Sequence, residues 1–294
     1  MAEAVKVWWL ALVAVAVVNA VAWGVSARVL ERRIAGFPPA LQRSRRVLLW
    51  LAAGYVAGCA FRSVLPMVDV PRICLYASPV SYIAVGRTVA TLAELCLAAQ
   101  FALLLREAGS AARMPAVMAS AAAIVPLIAL AEVFSWSAVL TTNNLLHAFE
   151  NSLWAITALL VMAGFAAARG RLVRRSRRLI DAVLVAGAVY VAYMAWADVP
   201  MYVARWRADV AAGEPTLSLA AGLAEVLRPC VPAGDWAAWR DDVTWLTLYF
   251  SLAVWISIAL PHCPPFAAAG TTSSGKGPRP SDPAGVAPAL EPRS

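Results

Sequence analysis

Residues 143–167 read NNLLHAFENSLWAITALLVMAGFAA, and residues 168–178 read ARGRLVRRSRR. The first stretch is long and apolar enough to cross a bilayer as a helix. The second stretch is crowded with arginine, which marks the cytoplasmic end of a membrane span because short cytoplasmic loops are rich in arginine and lysine. Together the two stretches predict a helix that runs from the outer face of a membrane into the cytoplasm.

The composition of the whole chain indicates the same class of protein. Of its 294 residues, 62% are hydrophobic and 14% are charged, and the mean hydropathy is +0.70. A soluble domain of this size cannot bury so much apolar surface. The net charge of +8 comes from arginines that lie between apolar runs, so we expect a lipid bilayer as partner and no nucleic acid. The prediction is a multi-pass protein of the cytoplasmic or plasma membrane.

Seven apolar runs predict an all-α bundle of seven transmembrane helices. An outside N-terminus and a cytoplasmic C-terminus place every arginine cluster inside, as the positive-inside rule requires. Residues 1–263 form the predicted membrane domain, and residues 264–294, rich in Pro, Gly, Ser and Ala, are predicted to be a disordered cytoplasmic tail. The predicted spans are about 5–25, 47–65, 80–105, 115–138, 143–167, 179–203 and 243–260.

Two of the five cysteines fall in predicted outer loops. Cys74 follows the second span, and Cys230 lies in the long loop between the sixth and seventh spans, about residues 204–242. Both lie on the oxidising side in this orientation, which favours a disulfide between them. No CxxC motif is present, so the cysteines do not indicate a zinc or redox centre.

Polar residues recur on one predicted face of the fifth span. Asn143, His147, Glu150 and Trp154 are spaced i, i+4, i+7 and i+11, which is one side of a helix. Ionisable groups at membrane depth are costly, so they usually face the interior of a bundle and usually have a function. This face is the strongest indication of a functional site in the sequence.

Ionisable residues in four other spans fall at similar depth. The helical rise places most of them in the outer half of the membrane, which predicts an outward-opening polar chamber closed below by apolar packing. We expect the arginines to meet a negative group of a ligand, the carboxylates to balance charge or carry protons, His147 to act as a titrating switch, and two tryptophans to wall the site. The predicted ligand-binding residues are Arg62, Arg87, Glu94, Glu132, Trp136, Asn143, His147, Glu150, Trp154 and Asp198.

Three functions fit this pattern. The leading interpretation is a receptor-like or transporter-like protein that binds a small polar or amphipathic ligand. The second is an intramembrane enzyme that uses His147 and Glu150, with a metal ion held by Glu94, Glu132, His147 and Glu150. The metal pattern is partial, because a di-iron bundle needs two Glu-x-x-His elements and this chain has one, reversed. The third is a structural scaffold whose buried ion pairs hold its helices together.

The layout of seven spans with an outside N-terminus resembles that of rhodopsins and other heptahelical receptors. Retinal binding requires a lysine within the membrane, but the two lysines are Lys6 and Lys276, and the seventh span, TWLTLYF at 244–250, has none. Metal hydrolases of the ceramidase type use several histidines, and this chain has two. We therefore expect no retinal and no other resident cofactor, and the pairing of the buried charges stays open: Arg87 with Glu94, Glu132 or Asp198, and His147 with a carboxylate across the bundle.

Overall fold

A computed structural model describes residues 1–268, which form eight helices and a small sheet. Seven of the helices are long and apolar enough to cross a membrane, which confirms the predicted all-α architecture. These seven are α1 (Glu3–Ile34), α2 (Pro39–Val64), α3 (Ile83–Ala111), α4 (Pro115–Thr141), α5 (Asn144–Arg169), α6 (Arg174–Ala212) and α8 (Trp236–His262). The short helix α7 (Leu219–Val226) precedes α8.

Most of the helices extend beyond the apolar runs that predict them. Pro39 and Pro115 start α2 and α4, where a proline loses no hydrogen bond because the first helical N–H groups are free. The predicted outer loop over residues 204–242 is too long, since α6 continues to Ala212 and α8 begins at Trp236. Alanine and arginine are strong helix formers, so the helices persist after their hydrophobic stretches end.

Two of the long helices contain a π-helical turn. In α6 the turn is Met194–Asp198, and in α8 it is Tyr249–Ala253. Pro200 follows the turn in α6 and lacks a backbone N–H, so it removes one bond of the regular i to i−4 ladder. Such turns add a residue to the helix and are frequent at functional sites.

A small sheet and a disulfide close one end of the bundle, which we call the disulfide end. Strand β1 (Met67–Val68) pairs antiparallel with β2 (Ile73–Cys74), which pairs parallel with β3 (Val231–Pro232). The predicted disulfide between Cys74 and Cys230 is confirmed, with a Cα–Cα distance of 5.7 Å. It joins the loop after α2 to the loop before α8, so the cap formed by these strands is one covalently linked unit.

Two glycines allow close packing near the disulfide end. A Cβ atom on Gly86 would overlap Met67 Sδ of β1, and a Cβ atom on Gly222 of α7 would overlap the Leu140 carbonyl oxygen of α4. The cap therefore rests on α3 immediately beside Arg87.

The opposite end, which we call the arginine end, carries the basic segment 169–178, and most of the side chains in its interior are apolar. Phe266 is buried there and its ring lies 6.1 Å from that of Phe165. The Phe266 backbone N–H donates to Glu107, and burial raises the pKa of the Cys263 thiol to about 11. Residues 264–268 of the predicted tail thus pack against the bundle, and residues 269–294 lie outside the described part of the chain.

The order of the helices leaves one seam in the ring. Helices α1 to α5 pack in sequence order, with α3 also touching α5. Helix α6 packs on α5, whereas α8 packs on α1 and α2. Consequently α6 and α8 are the two edges of the bundle, and they face each other across what we call the α6–α8 seam.

Candidate functional site: a buried charge cluster near the disulfide end

Arg87 of α3 lies at the centre of the predicted polar residues. Its Nη2 atom is 2.8 Å from Glu132 and 3.3 Å from Glu94, and its Nη1 atom is 3.6 Å from Asp69 and 3.8 Å from Glu150. Arg87 is only 4% exposed. We call its surroundings the Arg87 cluster, with the members Arg62, Asp69, Arg87, Glu94, Glu132, His147, Glu150 and Asp198, all of them buried.

Five helices and the cap hairpin build the cluster. On α3, Arg87 and Glu94 are seven residues apart and share a face. Glu132 comes from the C-terminal half of α4, and Glu150 from the second turn of α5. Asp69 comes from the hairpin between β1 and β2, which covers the cluster from the disulfide end.

Two donors from α3, Arg87 and Thr91, bind one oxygen of Glu132, and the other oxygen has no donor among residues 1–268. Thr91 Oγ1 donates to Glu132 Oε2 at 2.5 Å, and Trp136 Nε1 donates to that threonine at 3.1 Å. Trp136 therefore reaches the cluster through Thr91. Glu132 Oε1 is buried and meets no amide, guanidinium or hydroxyl donor among residues 1–268, so the neighbouring carboxyl of Glu94 is the group with which it could share a proton.

Glu94 is tied to α8 by a tyrosine. Tyr249 Oη donates to Glu94 Oε1 at 3.1 Å, and Tyr249 lies at the start of the π-helical turn of α8. Its ring also meets that of Tyr55 edge-on, at a centroid distance of 5.6 Å. The π turn of α8 thus directs a phenol into the cluster.

His147 pairs within its own helix, contrary to the expected contact across the bundle. Its Nδ1 atom lies 2.7 Å from Oε2 of Glu150, three residues along α5. The histidine ring lies 5.0 Å from the ring of Tyr202 on α6. The i, i+3 spacing of an α-helix brings His147 and Glu150 together without any help from other helices.

Asp198 and Arg62 lie at the edges of the cluster. Asp198 accepts a hydrogen bond of 2.5 Å from Asn151 Nδ2 of α5, so it does not use Arg87 as its partner. Arg62 Nη2 donates to the Met67 carbonyl oxygen at 3.1 Å and lies 3.9 Å from Asp69. Arg62 therefore anchors the cap hairpin to α2.

Two predicted site residues have other roles. Asn143 is the N-cap of α5, where its side chain accepts from the Leu145 N–H at 3.0 Å. Asn143 precedes the first helical residue, so the i, i+4 spacing does not place it on the same helical face as His147. Trp154 packs against the apolar cluster that fills the arginine end, and the structure does not place it among the charged groups.

Four residues complete the site without having been predicted to belong to it. Asp69 lies in a loop by sequence, and only the fold of the cap brings it over Arg87. Asn151 is a polar residue next to Glu150 and could have been recognised from the same helical face. Thr91 and Tyr249 give no sequence signal, because hydroxyl groups are common in membrane helices that have no site.

The three carboxylates predicted as metal ligands do converge, but an arginine lies among them. One oxygen from each of Glu94, Glu132 and Glu150 lies within 4.8 Å of the others. The guanidinium of Arg87 is within 4 Å of all three side chains. Its positive charge attracts the three carboxylates and accounts for their convergence without a metal ion. His147, the fourth predicted ligand, is hydrogen bonded to Glu150 instead.

The Arg87 cluster has more acidic than basic groups. Within residues 1–268 it contains two guanidiniums, and protonated His147 would add a third positive charge. Next to it, Arg205 and Asp242 pair at 3.0 Å and leave the balance unchanged. At least two carboxylates therefore lack a protein cation. The five carboxylates are Asp69, Glu94, Glu132, Glu150 and Asp198.

Comparison of the chain with protein-family models, with curated proteins and with solved structures found no match in any of the three.

Proposed function

We propose that this protein is a ligand-binding heptahelical membrane protein, receptor-like or transporter-like, and that its ligand is a cation that takes the place of protons in the Arg87 cluster. The excess of buried carboxylates carries the proposal. A buried carboxylate without a counter-charge must take up a proton or meet a cation. We infer that the excess carboxylates hold protons when the site is empty and meet the cation when the ligand is bound.

The arginines are less suited to hold a ligand anion than the sequence suggests. The guanidinium of Arg87 is already within 4 Å of four carboxylates. Arg62 is engaged by a backbone carbonyl of the cap. Adding an anion would also increase the negative excess, so charge complementarity favours a positively charged ligand.

We further propose the predicted orientation, with the disulfide end outside and the arginine end in the cytoplasm of a cytoplasmic or plasma membrane. The disulfide supports an oxidising environment at one end. The basic segment 169–178 supports a cytoplasmic location of the other end. The Arg87 cluster then lies in the outer half of the bilayer.

The test is a cation titration of the purified protein in nanodiscs of zwitterionic lipid. Na⁺, Ca²⁺, Mn²⁺, tetramethylammonium and hexyltrimethylammonium are added singly to lightly buffered protein, and melting temperature and proton release are recorded. We expect at least one cation to raise the melting temperature and to release protons. At a hundred times its Kd, the cation should add about 3 kcal/mol to the free energy of unfolding. Glu132→Gln and Glu150→Gln should weaken both effects.

Asp181→Asn is the matched control, because Asp181 forms an exposed ion pair with Arg169 at the arginine end. This variant should respond as the native protein does. If none of the five cations changes the melting temperature or releases protons, the proposed function is wrong. The scaffold interpretation then gains support.

An intramembrane enzyme is the second candidate, favoured by the hydrogen bond between His147 and Glu150. A carboxylate that orients an imidazole is the usual arrangement of a general base. If the native protein turns over a lipid substrate and Glu150→Gln does not, at an unchanged melting temperature, the result would support this candidate over the cation binder.

A further inference from the structure

The α6–α8 seam is bridged by few specific contacts. Near the disulfide end, Arg205 of α6 and Asp242 of α8 form an ion pair of 3.0 Å. Deeper in the bundle, the ring of Tyr193 stacks on that of Trp245 at 6.3 Å with an interplanar angle of 10°. In the described part of the chain, these are the polar and ring contacts between the two helices. Other neighbouring helices in the ring contact each other more extensively.

Both edges of the seam have a π-helical turn at the depth of the Arg87 cluster. The turn in α6 ends at Asp198, and the turn in α8 begins at Tyr249. Each turn therefore supplies one polar group to the cluster. Helices α1 to α5 contain no such turn within the described residues, so the irregular backbone is confined to the two helices that face each other across the seam.

Three aromatic side chains lead from the seam to a carboxylate. Tyr193 and Trp245 are half-buried, whereas Tyr249 is buried. The ring of Trp245 lies 5.4 Å from that of Tyr249, and Tyr249 donates to Glu94 at 3.1 Å. We call Tyr193, Trp245 and Tyr249 the aromatic ladder. Faces of Trp and Tyr attract cations, and ammonium groups with organic substituents are bound in this way.

An aromatic residue of α6 already holds a cation in this manner. The guanidinium carbon of Arg205 lies 5.5 Å from the centroid of the Tyr202 ring. Tyr202 in turn contacts the ring of His147. On this side of the cluster, an aromatic ring therefore already lies beside a positively charged side chain.

Entry from the disulfide end is obstructed by the cap. The disulfide fixes β2 to the loop before α8, and Asp69 of the hairpin lies over Arg87. The N-terminus adds a further contact, because the Ala2 N–H donates to the Gly234 carbonyl oxygen at 2.7 Å. The seam, in contrast, is bordered by α6, which is the least buried of the seven long helices.

We infer that the ligand is an organic ammonium ion with an apolar substituent, and that it enters from the bilayer between α6 and α8. Its ammonium group moves along the aromatic ladder to Glu94, while the apolar part stays in the seam. The Arg205–Asp242 pair holds the seam together near the disulfide end. This inference rests on the proposed function, because it specifies the chemical class of the cation.

The experiment compares hexyltrimethylammonium with tetramethylammonium, Na⁺ and Ca²⁺ in nanodiscs, with the shift in melting temperature as the measure of binding. We expect hexyltrimethylammonium to bind best, because it has both the charged head and an apolar tail. Trp245→Leu should weaken its binding about tenfold by removing a cation–π contact. Trp196→Leu is the matched control, since it removes an exposed tryptophan from α6 and should leave binding unchanged.

The outcomes separate this inference from the proposed function. Binding of Na⁺ or Ca²⁺ without hexyltrimethylammonium would overturn the inference and leave the proposed function standing. Binding of hexyltrimethylammonium that Trp245→Leu does not weaken would overturn the role of the aromatic ladder. If Trp245→Leu fails to fold, Tyr193→Leu provides the same test from the α6 side. No response to any cation would overturn both proposals.

Discussion

Two buried arginines in this protein have opposite surroundings. At the arginine end, Arg45 of α2 meets Glu107 in a two-pronged pair, with distances of 2.7 Å and 2.8 Å. One positive charge faces one negative charge there, and the Phe266 N–H satisfies the carboxylate further. Near the disulfide end, Arg87 faces four carboxylates within 4 Å.

Charge balance distinguishes a structural ion pair from a cluster that needs a proton or a ligand. A matched pair such as Arg45–Glu107 has no need of a ligand and serves packing and register. An unmatched cluster is stable only with protons or a ligand cation. The two regions should therefore respond in opposite ways when one carboxylate is neutralised.

The largest effect is expected from Arg87→Met. Four carboxylates lose their shared cation, so the free energy of unfolding should fall by about 5 kcal/mol, the upper end for a broken buried pair. Titration with a denaturing detergent measures the loss. The double variant Arg87→Met, Glu132→Gln should recover part of it, and a loss below about 1 kcal/mol for the single variant would mean that Arg87 does not hold the cluster together.

Glu107→Gln should destabilise the arginine end by about 3 kcal/mol, because it leaves Arg45 buried without a counter-charge. Arg45 is fully buried, whereas the Glu107 side chain is 22% exposed, so some water can replace the lost carboxylate. The same detergent titration measures the effect. Asp181→Asn in an exposed pair should leave stability almost unchanged, and an equal loss in both variants would contradict the distinction between buried and exposed pairs.

Removal of the disulfide by Cys74→Ala and Cys230→Ala should lower stability by about 2 kcal/mol, since the cap is then held by its strands alone. Hydrogen exchange should speed up in the hairpin that carries Asp69. Protection at the arginine end, for example around Phe266, should remain. Uniform loss of protection over the whole bundle would show that the cap is not a separate unit.

Among the variants of buried residues, Glu150→Gln should change stability least. This variant removes one excess negative charge and retains a hydrogen-bond acceptor for His147, so stability should stay within about 1 kcal/mol of the native value or rise. Cation-induced stabilisation should nevertheless be weakened. A fall of several kcal/mol would show that the Glu150 charge is matched, as in the Arg45–Glu107 pair.

The sequence could predict the seven helices and the disulfide because both depend on local or topological rules. Apolar length sets the number of spans, and arginine placement puts Cys74 and Cys230 at the same end. The five helices that supply the Arg87 cluster could also be predicted, since each carries an ionisable residue at membrane depth.

The pairing within the cluster could not be predicted, because it depends on helix rotation and on the cap. Rotation of α3 decides that Arg87 faces Glu132 rather than Asp198. The fold of the hairpin brings Asp69 into the cluster, and an N-cap takes Asn143 out of it. The π-helical turns, which position Asp198 and Tyr249, have no periodicity that a sequence pattern reveals.

Infrared spectroscopy of the protein in nanodiscs at neutral pH tests the charge excess most directly. A protonated carboxyl has its own carbonyl stretch, distinct from the bands of a carboxylate. The cation-depleted native protein should show this absorption, Glu132→Gln and Glu150→Gln should reduce it, and Glu107→Gln should leave it unchanged. Absence of any protonated carboxyl in the cation-depleted protein would contradict the account, because the buried carboxylates would then all be charged without protons or a ligand.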